Sequence, residues 1–229
     1  MKRPFKSSSN RNASSSFSSA PELPPASSTD THRGFDFTAH MRNVCVDMVS
    51  RLPEFGHIDL NRVAVAFSQA RNRSSYGLFA SLTPLRFKDG AETRITRGRE
   101  YTVQRLRDRS GQDMLYILTF CLPRFMDLVF REKLITILHE LWHISPNFNG
   151  DIRRHPGRCY AHTHSQDEYD EQMGEFADHW LSLAPPESQY SFLHLNFNDL
   201  QKNHGRLFGT KISRPKLIPI HRDPGHLEK

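Results

Sequence analysis

The chain has 229 residues, of which 37% are hydrophobic, 24% charged and 10% aromatic, with a formal net charge of +6. That length fits one domain with a tail, and 16 Phe and two Trp are too many aromatics for a wholly disordered chain. No apolar run reaches the roughly 18 residues that a membrane helix needs, and three Cys exclude a disulfide scaffold and fit reduced thiols in a cytoplasm.

Residues 1–30 hold ten Ser and four Pro, with Glu22 and Asp30 the only acids. So little apolar surface cannot offset the entropy of ordering, which predicts a disordered tail. Lys2, Arg3 and Lys6 resemble the start of a signal peptide, but Ser runs follow where an apolar stretch is needed. An organelle transit peptide shares the basic, Ser-rich, acid-poor composition, but no amphipathic Arg-bearing helix accompanies it here.

One domain is expected over 31–229. Phe37, Met41, Val44, Met48 and Leu52 step by three or four and mark one helical face, with Asp36 as cap and Pro53 beyond the end. Val63, Val65 and Phe67 alternate, as do Tyr76, Leu78, Ala80 and Leu82, and both read as strands. Arg94 to Arg107 alternates weakly, and Met114 to Cys121 reads as a buried strand. About four strands are therefore expected.

After Pro123 the period changes. Leu128 to His143 reads as a helix with Leu134, Ile137, Leu138 and Leu141 on its apolar face, stopped by Ser145 and Pro146. Ser165 and Glu168 form a capping box for a further helix bearing Tyr169, Met173, Phe176, Trp180 and Leu183. A short helix near Phe192 to Leu200 and an extended, Pro-punctuated segment from Leu207 to Ile220 complete the chain.

His139, Glu140 and His143 spell H-E-x-x-H on the strongest predicted helix. Residues four apart share a helix face, so two imidazoles can hold one ion, and two neutral nitrogen donors suit Zn²⁺. Glu140 beside them can act as general base toward a water at the metal. Composition alone predicts roughly 0.035 chance occurrences of the motif. The metzincin spacing fails because its next histidine position is Asn149. The third ligand can come from His155, from His162 or His164, or from a carboxylate such as Asp151 or Glu168.

The run 139–146, His-Glu-Leu-Trp-His-Ile-Ser-Pro, with Phe148, Gly150 and the box from His155 to Tyr160, resembles the phage-type metallopeptidases. More distantly it resembles SprT-like proteases, although no Cys-x-x-Cys pair is present for their zinc ribbon, and Pro156 separates His155 from Gly157. The resemblance implies zinc on His139, His143 and His155, with Glu140 catalytic. It implies an α+β, zincin-like fold of the minigluzincin type, a mixed sheet of about four strands packed against the motif helix and a further helix. The expected activity is cytoplasmic hydrolysis of peptide or protein substrates by a zinc metallopeptidase. Tyr160, His162, His164 and Arg158 are candidates for oxyanion stabilisation or for supporting the ligands.

Two further readings stand beside this one. A nucleic-acid-associated protein could carry a structural or vestigial zinc site, closed by a fourth ligand such as His162 or His164. A protease acting on DNA-bound proteins would join both. Arg86 to Arg109 holds eight Lys or Arg and four acids, with only Phe87 and Tyr101 as aromatics, which reads as a solvated strand face before a base-stacking one. Residues 136–189 carry three Lys or Arg against nine acids, so the basic pI of 9.4 arises elsewhere. The segment holding the motif suits neutral or basic peptide, and a polyanion suits the arginine-rich strands or the C-terminal segment.

Overall fold

Asp36 starts the first helix as its side chain does in the sequence reading: the carboxylate accepts a hydrogen bond from the Ala39 amide at 3.0 Å. The computed structural model describes residues 34–69, 77–154 and 166–220. The expected N-terminal tail, Tyr76, Ser165 and the Glu168 side chain lie outside the described residues. In chain order the elements are β1 (Gly34–Asp36), α1 (Phe37–Arg51), β2 (Val63–Gln69), β3 (Ala80–Pro84), β4 (Thr93–Thr96), β5 (Arg99–Val103) and β6 (Tyr116–Leu122). They continue with α2 (Phe130–Trp142), α3 (Gln166–Ser182), α4 (Glu187–Tyr190), α5 (Phe197–His204), β7 (Arg206–Phe208) and β8 (Leu217–Pro219).

This is an α+β architecture. The central sheet is mixed, in the order β2-β6-β3, with β2 parallel and β3 antiparallel to β6. Its middle strand is the buried one, as the continuous apolar run requires. The five stepped residues of α1 and its end, Phe37, Met41, Val44, Met48 and Leu52, are all fully buried. So are Leu134, Ile137, Leu138 and Leu141 of α2 and Met173 and Trp180 of α3. These faces join the sheet in one core. Trp180 ties α3 to α1 by donating from Nε1 to the buried Asp47 carboxylate at 2.9 Å.

Three expectations are corrected. Among the described residues the central sheet has three strands, not four: the arginine-rich stretch forms a separate sheet, β4-β5-β8. All four residues of β4 are exposed, so it has no apolar face to place against the core. Arg97 and Gly98 both take positive φ, which makes the tight hairpin turn between β4 and β5. The helix expected over 192–200 is split into a 3-10 turn, Ser191–His194, and α5, because Asn196 starts a new helix by accepting from the Asp199 amide. Leu183, expected on the core face of this helix, falls just past the end of α3 and is 39% exposed.

No helix among the described residues is long and apolar enough to cross a membrane.

Candidate metal centre

The motif helix brings its two histidines together as the i, i+4 spacing requires. The ring centroids of His139 and His143 are 4.7 Å apart, at an interplanar angle of 81°. Both side chains are half-buried. Helix α3 packs across α2 and sets Tyr169 against both rings, at 4.8 Å from His139 and 6.1 Å from His143. It also carries Asp170, whose Oδ1 lies 3.9 Å from Nδ1 of His139. That separation is beyond hydrogen-bond length and within electrostatic reach of the ring.

Glu140 faces the sheet. Burial pushes its carboxyl up to about 7, and a hydrogen bond from the Leu82 backbone amide pulls in the opposite direction. Leu82 belongs to β3, the edge strand of the central sheet on that side. In the β3–β6 ladder, Phe79 bonds Cys121 and Leu85 bonds Leu115. Alternation along an antiparallel pair then assigns the odd residues of β3 to β6 and turns the backbone groups of Ala80, Leu82 and Pro84 to the free edge. Ala80, Thr136, His139, Glu140 and Asp170 line a cleft of about 310 Å³ at the start of that edge.

The end of α2 is held by Arg153. Its backbone amide donates to the His143 carbonyl at 2.7 Å, its Nε donates to the Trp142 carbonyl at 2.7 Å, and its guanidinium lies 3.8 Å from the centre of the Trp142 ring. A cation on exposed helix carbonyls is favourable in hydrogen bonding and toward the helix dipole. The loop that returns the chain to His143 turns at Gly150, whose φ is +88° and where a Cβ would come within 2.5 Å of the Arg86 side chain. Tyr116 anchors this loop: its hydroxyl donates to the Asp151 carbonyl and accepts from the Gly150 amide.

The sequence candidates divide accordingly. His139, Glu140 and His143 share one site. Asp151 serves the loop: its carboxylate accepts from the Asp89 and Ile152 amides and from Arg154. His155, Tyr160, His162, His164 and Arg158 lie outside the described residues. Among the described residues no group of three His, Cys, Asp or Glu could hold a metal. In the Arg86 to Arg109 stretch, Arg86, Arg105 and Arg107 are committed to Glu92 and Asp113.

Asp170, Leu82 and Arg153 are residues that the sequence reading did not assign to the site. For Asp170 the available signal is its place beside Tyr169 on a helix whose apolar face must be buried. Leu82 and Arg153 become visible only when the strand and the loop are seen against α2. Comparison with protein-family models, with curated proteins and with solved structures finds no match for the chain.

Proposed function

We propose that the protein is a zinc-dependent peptidase with Glu140 as general base. The observation that carries this reading is the combination on one helix of two adjoining imidazoles and a buried carboxyl raised to about 7, all beside a strand edge that no other strand pairs among the described residues. The donors fit the ion: two half-buried histidines on one face, with a third ligand assigned to His155, and His162 or His164 as alternatives. His155 follows Arg153, which is bonded to His143, by two residues in the chain.

When bound, zinc would supply Lewis acidity that lowers the pKa of a water and polarises a carbonyl. The protein's own groups do the rest. A base with a pKa near the working pH takes the proton of the attacking water and returns it to the leaving amine, and the raised Glu140 carboxyl suits both transfers. Burial keeps the Tyr169 hydroxyl protonated well above its ordinary range, so the ring beside both histidines stays neutral. A peptide can pair with the outward groups of Ala80 and the Leu82 carbonyl, the Leu82 amide being held by Glu140, and Pro84, which has no N–H, ends that pairing. The zincin-like and phage-type reading of the family belongs to this proposal.

The test is Glu140→Gln, assayed for peptide hydrolysis and for bound zinc. Loss of hydrolysis with about one zinc retained supports the proposal. Hydrolysis that survives the substitution refutes it.

A further inference from the structure

The strand edge that passes Glu140 ends in a second cavity, of about 790 Å³. Ala80 lines the cleft that holds His139, and Leu82 meets Glu140. Thr83 and Pro84, at the other end of the same strand, line this second space. At about 3.4 Å per residue, Pro84 is roughly 7 Å beyond Leu82. A chain laid along β3 therefore runs from the cleft into the cavity within a few residues. Arg154 lines the cavity too, and the preceding residue is bonded to His143, so the loop joins the two spaces as well.

The lining has an excess of positive charge. Arg86, Lys88, Arg94, Arg154 and Arg214 face one carboxylate, Asp151. Asp151 is already saturated by Arg154 and two backbone amides. Arg86 is neutralised by Glu92 and Asp113. Lys88, Arg94 and Arg214 have no ion pair among the described residues, and Arg94 lies over the Phe87 ring at 5.0 Å. All three are exposed, so this end of the strand presents three cations with no acidic partner among the described residues. The segment 136–189 around the histidines is acidic by contrast, so the positive field is local to this end of the strand.

We propose that this cavity is a substrate subsite for an acidic side chain, about two to four residues from the bond that is cleaved. The assignment rests on the peptidase reading. A carboxylate-bearing peptide is favoured over a nucleic acid because the cavity lies where the backbone-pairing edge of β3 ends, at Pro84. Its single aromatic ring is also covered by Arg94, which leaves no platform for a base. Charge pairing at such a subsite selects among peptides by favouring acids and rejecting bases.

The test uses the full chain carrying Glu140→Gln, and measures binding of fluorescent decapeptides that share a sequence except for one Asp, Asn or Lys scanned along it. A single-stranded DNA oligonucleotide is the further probe. An Asp at one or two adjacent positions should tighten binding about tenfold over Lys. Lys88→Glu with Arg214→Glu should abolish that preference while the circular dichroism spectrum and Tm stay unchanged. Equal binding of all peptides overturns the proposal, as does oligonucleotide binding that the double variant abolishes while peptide preference is absent. Cleavage by the unsubstituted protein is assayed in parallel. Cleavage without acid preference removes the subsite and leaves the peptidase. Acid-selective binding without any cleavage removes the peptidase and leaves an acidic-peptide site.

Discussion

Asp170 on α3 holds a carboxylate oxygen 3.9 Å from Nδ1 of His139 on α2. The contact joins two helices that are also linked by the Arg131–Asp178 ion pair at 2.9 Å. At this distance the carboxylate acts on the imidazole through its charge, which makes the ring's other nitrogen a better donor to a metal. Asp170→Asn keeps the shape and removes the charge, and is expected to weaken zinc binding by about 10–100-fold. Its side chain is about half exposed, so the metal-free Tm should not move. Competition with a chromogenic chelator measures the affinity, and an unchanged value would separate Asp170 from the site.

Glu140 carries an electrostatic cost in the folded, metal-free protein. Its carboxyl rises from 4.5 to about 7, so folding favours the protonated form. That contribution is fully present below pH 4.5 and is lost as the pH climbs through about 7. Glu140→Gln should therefore raise the metal-free Tm at pH 8 and leave it nearly unchanged at pH 4. Thermal melts at the two pH values, with chelator present, read this directly. A gain of equal size at both would assign the effect to packing.

Lys133 is the other buried charge of α2, only 1% exposed. Its Nζ donates to the Leu193 and Leu195 carbonyls at 2.8 and 2.7 Å. Burial lowers its pKa to about 8, with Asp127 acting the other way. The unfolded chain then binds more protons between pH 8 and about 10.5, so stability from this group rises across that window. Lys133→Met leaves two carbonyls without their donor and should cost about 1–3 kcal/mol at pH 10, with a smaller loss at pH 7. Urea unfolding at the two pH values checks it.

Arg153 closes the C-terminus of the motif helix through two carbonyls and the Trp142 ring. Arg153→Ala should cost about 1–3 kcal/mol, a Tm drop of roughly 2–10 °C for a domain of this size. Arg153→Lys should recover only part of it, because an ammonium cannot both stack on the ring and reach the same carbonyl in a fixed plane. Full recovery by Lys would reduce the contact to simple charge.

The sequence by itself determined α1, α2 and the motif. The buried faces of α1 and α2 follow from steps of three and four, and the same spacing sets His139 beside His143. These are local consequences of 3.6 residues per turn. Alternation likewise marked β2 and the apolar run marked β6, but neither says which strand is the edge. Tertiary structure decided that β3 takes the edge beside Glu140 and that β4 and β5 leave the central sheet to pair with β8. It also decided that Asp170 meets His139 and that Arg105 and Arg107 pair with Glu92 and Asp113 while Arg94 lines the cavity. The physical reason is range. Helical periodicity is written in neighbouring residues, whereas strand pairing, helix packing and the burial that raises Glu140 depend on residues that only the closed chain brings together.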